Sequence, residues 1–201
     1  KVHFLGLVSD GGIHSHQNHL IKLCQIAANN GVKESFIHAF TDGRDTDPNG
    51  GIGFLKQVEE AIKPYPTKIA SVIGRYFAMD RDLRWERIKK AYELMVQGKG
   101  TAAASSSEVL LNSYAQNVTD EFIEPHFISD VNGNPIAKIE PDDVVICFNY
   151  RTDRCREITR ALHQEDFEDF GMHKLPLYFV TMTNYDDSFK GVHVLFKKDN
   201  L

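Results

Sequence analysis

Six side chains able to grip an anion stand in four separated stretches of the sequence. They are His14 in Ser9-Asp10-Gly11-Gly12-Ile13-His14-Ser15-His16, Arg44 in Thr41-Asp42-Gly43-Arg44-Asp45, Arg75 and Arg81 in Gly74-Arg75-Tyr76-Phe77-Ala78-Met79-Asp80-Arg81, and Arg151 and Arg154 in Asn149-Tyr150-Arg151-Thr152-Asp153-Arg154. Arginine keeps its charge at any accessible pH, and its planar fork meets carboxylate or phosphate oxygens with two parallel hydrogen bonds. Several such forks predict a small ligand with several anionic groups, a phosphorylated metabolite above all. Asp45 is the candidate acid/base, since a carboxylate can accept from ligand hydroxyls or move their protons, while Asp42 and Asp80 read as braces for neighbouring arginines. Gly11-Gly12, Gly43 and Gly74 let the backbone turn sharply and expose N–H groups beside a ligand.

Taken singly, each arginine reads as a surface ion pair, such as Arg81 or Arg84 with acids of the following helix. The recurrence of basic residues after separate apolar runs favours a shared site instead. Arg84, Arg87, Arg156 and Arg160 fall inside helical patterns and read as solvated or bracing charges. Asp10, His14, His16 and His19 permit a metal-hydrolase reading, but His14 precedes a helix whose first turns hold the other two histidines, which need not converge on one ion. No metal site is assigned. Gly50-Gly51-Ile52-Gly53 lacks the dinucleotide-binding spacing, and neither a Gly-Lys-Ser/Thr phosphate loop nor a Gly-x-Ser-x-Gly elbow occurs.

The elements that must position these residues are legible as apolar runs at His3–Val8, Ser35–Phe40, Ile69–Ile73, Val144–Phe148 and Leu177–Met182. Their near-continuous apolarity predicts strands covered on both faces. Helical spacing predicts helices from about His16 to Asn30, from an Asp47 cap and Pro48 to Pro64, from Asp82 to Gln97 with Gly98 closing it, and from Ser106 to Gln116. Asn132-Gly133 predicts the turn of a short hairpin between Phe127 and Ile139, inserted outside the core. The expected fold is α/β, a three-layer, mostly parallel sheet with helices on both faces and a small hairpin insertion. In such sheets ligands collect beyond the carboxyl ends of the strands, where the four basic stretches lie.

The 201 residues predict a single substrate-binding domain over 1–201. A net charge of −5 argues against a nucleic-acid partner or an anionic membrane surface, so any basic patch must be local. No apolar run has the length of a membrane span and no signal peptide is recognisable, so the chain reads as cytoplasmic. Cys24, Cys147 and Cys155 are odd in number and show no ligand spacing, which predicts buried free thiols. Opening at Lys1 directly into an apolar run, the chain reads as a piece of a longer protein.

Taken together, the four motifs closely resemble the phosphotransferase domain of cofactor-independent phosphoglycerate mutases, over nearly the whole chain. The resemblance implies a two-domain enzyme of the alkaline phosphatase-like superfamily. Such an enzyme interconverts 3-phosphoglycerate and 2-phosphoglycerate in glycolysis and gluconeogenesis through a phosphoserine, with glycerate held between the two transfers. It implies that His14 contacts substrate, that Arg44 and Asp45 flank its hydroxyls with Asp45 as acid/base, that Arg75 and Arg81 hold the carboxylate, and that Arg151 and Arg154 lie toward the phosphoryl group. It further implies a phosphatase-like partner domain that carries the serine and two divalent metal ions, manganese by preference, with no cofactor in the present chain. The nucleophile loop, the metal-ligand motifs and a further lysine of the family are not recognisable here, so this chain is expected to be inactive alone. The alternative is a non-catalytic binding module for phosphorylated organic acids.

Overall fold

The apolar runs form strands where they are predicted, and three shorter strands join them. In the computed structural model, which describes residues 1–197, β1 spans Val2–Leu7, β2 Ser35–Thr41, β3 Thr67–Gly74, β4 Thr101–Ala103, β5 His126–Ile128, β6 Val144–Cys147, β7 Tyr178–Thr181 and β8 Val192–Val194. Positions 198–201 of the expected 1–201 domain lie outside the described residues. One sheet runs β4-β5-β3-β2-β1-β6-β7-β8, parallel throughout among the described residues except where β5 meets β3. β1 lies inside it, paired with β2 on one side and β6 on the other.

Alternate residues of each strand enter opposite halves of the core. Phe4, Ile37, Ala39 and Val72 pack with Leu20, Leu55, Val58 and Leu110 under α1 (Gln17–Asn29), α2 (Gly51–Ile62) and α5 (Ser106–Ala115). Leu5, Phe40, Ile73 and Val145 pack on the other side with Phe77, Ile88 and Ile158 of α3 (Arg75–Ala78), α4 (Trp85–Tyr92) and α6 (Arg156–Thr159). Burying each large apolar side chain contributes roughly 1.5–3 kcal/mol, so both helical layers are held by the same strands. The three cysteines are free and buried. Among the described residues no helix is long and apolar enough to cross a membrane.

Three boundaries depart from expectation for identifiable reasons. α2 starts at Gly51, not at Asp47-Pro48, because the Asp47 carboxylate accepts the N–H of Asn49 in its own turn (2.8 Å) and the Gly51 N–H is satisfied by Asp120 (2.7 Å). α4 starts at Trp85, not Asp82, because Leu83 has φ +60° and breaks the helical path. The helix then widens into a π turn over Glu93–Gln97 before Gly98 ends it in the left-handed region. The Asn132-Gly133 turn is present, but His126–Ile128 belongs to the main sheet and only the Ser129–Pro135 bridge is hairpin-like. Pro135 has no N–H with which to extend a ladder.

A polar chain crosses the sheet from the residue before β6 through β1 and β2 to β3. His3 Nε2 lies 3.0 Å from Asp143 Oδ2, His3 Nδ1 2.9 Å from His38 Nε2, and His38 Nδ1 2.7 Å from Ser71 Oγ, all buried. Every partner is satisfied when both imidazoles are neutral, with Ser71 donating to His38, His38 to His3 and His3 to Asp143. Burial holds both histidines below the ordinary imidazole value, against the pull of Asp143 on His3 and helped by His3 at His38. Groups whose folded pKa is depressed contribute stability that is present above the unfolded value near 6.5 and is lost as pH falls below it. Thermal unfolding is therefore expected to show a falling Tm from pH 6.5 to 5. His38→Leu should lower stability by about 1–3 kcal/mol at pH 7.5 and flatten that slope; an unchanged slope would remove the chain as its source.

Candidate anion-binding site

The loops after β1, β2, β3 and β6 converge at the carboxyl edge of the sheet, and a single carboxylate joins the first three. Asp42, fully buried, accepts the Ser9 hydroxyl on Oδ2 (2.7 Å) and, on Oδ1, the N–H groups of Arg44 (3.2 Å) and Asp45 (3.0 Å) and Nη1 of Arg75 (2.9 Å). Burial alone would raise its pKa, but the Ser9 hydroxyl, the Asp45 amide and the Arg75 guanidinium outweigh it and hold the carboxyl below its ordinary value. Arg75, the first residue of α3, is 3% exposed. Its Nη1 also donates to Asp45 Oδ2 (2.6 Å), and its Nη2 donates to Nε2 of His14 (3.1 Å). Since Nε2 accepts, the proton of His14 sits on Nδ1. Burial, and then Arg75 beside it, push this imidazole down to about 4, so it is neutral at physiological pH.

Among the described residues His14 Nδ1 has no hydrogen-bond partner, and Oδ1 of Asp153, 3.7 Å away, takes no hydrogen bond and has only the ion-pair contact of Arg151 Nε at 3.1 Å. A buried donor facing a buried acceptor across a gap too wide for a direct bond is an arrangement that a bridging hydroxyl or water completes. The other oxygen of Asp153 accepts Nη1 of Arg81 at 3.0 Å, which ties the loop after β6 to the loop after β3. Arg151 makes its contact with Oδ1 from an exposed position at the rim.

Beside Arg75 opens a cavity of about 310 Å³ lined by six arginines, Arg44, Arg75, Arg81, Arg84, Arg87 and Arg154, with Asp80, Asp82, Glu121, Tyr76 and Phe122. Most of this positive charge is already paired. Arg44 faces Glu121 (3.4 Å), Arg84 faces Asp82 (2.8 Å), and Arg87 faces Asp80 (3.4 Å) while lying over the Tyr76 ring. Arg154 differs: its Nη1 donates only to the Met79 carbonyl (3.2 Å), and among the described residues no carboxylate lies within ion-pair distance of it. Burial, and then Arg75, Arg81 and Arg44 around it, lower its pKa. A half-buried cation among other cations gains most from an incoming anion.

Of the residues singled out in the sequence, Arg44, Arg75, Arg81 and Arg154 line this cavity, and His14 and Asp45 stand behind Arg75 as its partners. Arg151 is outside the cavity, at its rim. The wall formed by Glu121 and Phe122 was not foreseen, and it corrects the expectation for two glycines. A Cβ on Gly74 would lie 2.3 Å from the Glu121 carbonyl oxygen, and one on Gly43 would lie 2.9 Å from the Glu121 nitrogen. These glycines admit a neighbouring turn rather than a ligand. Arg84 and Arg87, expected as solvated or bracing charges, both face the buried Asp80 and also line the cavity. Asp10, His16 and His19 do not assemble with His14. His16 caps α1, its Nδ1 accepting the Asn18 N–H at 3.1 Å, and the ring of His19 lies edge-on to Tyr150.

A family model described as "BPG-independent PGAM N-terminus" matches residues 1–187. The chain belongs to this family. Curated relatives named 2,3-bisphosphoglycerate-independent phosphoglycerate mutase include one from Flavobacterium psychrophilum, 58% identical over the whole chain, and one from Flavobacterium johnsoniae, 54% identical over the whole chain. In both, the matched region is 40% of the relative's length, so the chain spans well under half of these proteins. A crystal structure of Leishmania mexicana phosphoglycerate mutase at low cobalt concentration matches 92% of this chain and 36% of its own, with a TM-score of 0.87 and 31% identity. The mostly parallel sheet with helices on both faces is thus the architecture of a phosphoglycerate mutase N-terminal region.

Breaking a buried ion pair from one side leaves the other charge stranded. Asp42→Ala is expected to destabilise the fold by about 3–5 kcal/mol in denaturant titration, whereas Arg151→Ala, at the exposed rim, should cost less than about 1 kcal/mol. Equal effects of the two would contradict the assignment of Asp42 as the joint of the site.

Proposed function

We propose that the longer protein to which this chain belongs interconverts 3-phosphoglycerate and 2-phosphoglycerate, and that this chain holds glycerate while the phosphoryl group is away. The observation that carries the reading is the arginine-lined cavity with one cation unpaired, in a chain of the phosphoglycerate mutase family. Phosphoglycerate brings a carboxylate and a phosphate into one small molecule, which matches several guanidinium forks around a small volume. In the first transfer the bond from phosphorus to a glycerate oxygen breaks as a serine oxygen in the remainder of the protein bonds to phosphorus, and the departing oxygen takes a proton. In the second, the other glycerate hydroxyl gives up its proton and attacks the phosphoserine, the bond from phosphorus to the serine oxygen breaks, and that oxygen regains the proton it lost in the first transfer. A glycerate that escaped between these steps would leave a phosphatase, so retention is the duty of this chain.

In this reading Arg75 and Arg81 hold the carboxylate. Arg75 is pinned by Asp42 and Asp45, so it meets the substrate without reorganising. Arg154 and Arg151 lie toward the phosphoryl group, and Arg154, with no acid of its own, supplies the charge that stabilises the transferring oxygens in both directions. Asp45 is the acid/base for the glycerate hydroxyls, with Arg44 alongside. His14 acts as a neutral hydrogen-bond donor through Nδ1, and a glycerate hydroxyl bridging it to Asp153 would give Nδ1 its acceptor and Oδ1 of Asp153 a hydrogen bond beside its contact with Arg151. The two divalent ions that the resemblance implies, manganese by preference, would supply Lewis-acid stabilisation of the phosphate. On the resemblance alone we assign them to the phosphatase-like remainder, and no step here is routed through them. Three buried free thiols accord with a reducing cytoplasmic location.

The isolated chain is expected to show no mutase or phosphatase turnover but to bind phosphoglycerate weakly in titration calorimetry, with affinity falling as salt rises. In the full-length protein, Arg154→Ala should lower kcat/KM by about 100-fold or more. Arg75→Ala should weaken substrate binding and raise the ratio of phosphate release to mutase turnover. Full-length protein that binds phosphoglycerate without converting it would favour a non-catalytic binding module instead.

A further inference from the structure

Behind the loop that carries Arg81 and Arg84 lies a carboxyl group for which the reaction has no use. Glu157, on α6, is 3% exposed. Its Oε1 accepts the N–H of Leu83 at 2.9 Å, and its Oε2 is buried without a partner among the described residues. Leu83 is a non-glycine residue at φ +60°, with its side chain out in solvent, so the loop path is held by backbone anchoring rather than by packing. The neighbour of Glu157 is Asp80, which is itself buried. Asp80 Oδ2 accepts the N–H groups of Asp82 (3.0 Å) and Arg84 (2.9 Å), and its Oδ1 faces Arg87 (3.4 Å) and Arg84 (3.6 Å). Asp80 and Glu157 thus anchor the consecutive amides of Asp82, Leu83 and Arg84, and two buried carboxyls gathered on one turn do not both ionise. Asp80 has the donors and the cations, so the proton belongs on Glu157.

We propose that Glu157 is a positioning residue for the anion cavity: its protonated carboxyl donates from Oε2 to Asp80 while Oε1 holds the Leu83 amide, and this clip fixes the loop that presents Arg81 and Arg84. The clip gives the unpaired oxygen its partner and anchors the strained residue at once. Its kinetic readout rests on the mutase reading; its protonation does not. Charged groups face Glu157 from every side. Asp82, Arg84 and Arg87 lie on the loop and α4, while Arg81, Asp153, Arg156, Arg160 and Asp186 line, with Glu157 itself, a cavity of about 440 Å³. Burial, and then Asp80, push Glu157 up to about 7 against the pull of the Leu83 amide. For a carboxyl raised in this way the clip is closed below its ordinary range and up to that value, and is lost as pH rises through it.

The test uses the full-length protein with Glu157→Gln and Glu157→Ala, and follows KM and kcat for phosphoglycerate from pH 6 to 8.5. Glutamine keeps both hydrogen bonds, with its amide donating to Asp80, and does not titrate. The wild type should show KM rising roughly 3- to 10-fold above pH 7 relative to Glu157→Gln, with kcat within about twofold. Glu157→Ala should have a raised KM at every pH. Because the substrate phosphate also titrates near this range, the comparison with Glu157→Gln isolates the part due to Glu157. Parallel KM profiles for the wild type and Glu157→Gln would overturn the proposal. Infrared difference titration decides the protonation without turnover: a protonated-carboxyl band lost with a midpoint near 7, and missing in Glu157→Gln, is expected. Absence of that band overturns the clip, whereas absence of wild-type mutase activity beside a normal band overturns only the mutase reading.

Discussion

A guanidinium buried at the end of a parallel sheet is unfavourable unless charge and geometry are matched around it, and the pairing of Arg75 with Asp42 governs the rest of this structure. Asp42 collects a hydroxyl from the loop after β1, two amides from its own loop and a guanidinium nitrogen from the loop after β3. Three loops of separate sequence origin are thereby locked to one point. Asp45 and His14 take the remaining donors that point inward. Pinned in this way, Arg75 can only offer its charge in one direction, and the cavity wall forms around it. The tight approach of the Asp120–Phe122 turn, for which Gly43 and Gly74 must lack side chains, closes the far side.

Charge balance explains how a protein with net charge −5 can build a cationic cavity. Nearly every arginine arrives with its own acid, so the loops fold without a concentrated repulsion, and the surplus is concentrated at Arg154. An anion entering the cavity satisfies that surplus. His14 Nδ1 and Asp153 Oδ1, neither of which makes a hydrogen bond among the described residues, add a second demand of a different kind, for a group that both accepts and donates one. Anionic groups and hydroxyls together are the chemistry of a phosphorylated hydroxy acid, the substrate class proposed here.

The long strands and the basic residues after them were legible because continuous apolar runs of Val, Ile and Phe carry a strong local signal, and in parallel sheets the loops that follow such runs converge. Strands β4, β5 and β8 were not, since three residues give no period to detect. The Asp47 cap failed because a distant carboxylate, Asp120, satisfies the Gly51 donor, and the Asp82 start failed because Leu83 takes φ +60° and breaks the helical path. Arg84, Arg87, Asp153 and Glu157 look like ordinary helix or loop charges along the chain, and acquire their meaning only when the loops after β3 and β6 are brought together. That juxtaposition is tertiary and leaves no local trace.

The account is tested most directly by nitrogen-15 spectra of the arginine side chains as phosphoglycerate is added. Bound phosphoglycerate should shift the guanidinium resonances of Arg75, Arg81 and Arg154 and leave those of Arg156 and Arg160 in place. Saturable binding that moves Arg156 and Arg160 while Arg154 stays unperturbed would contradict it.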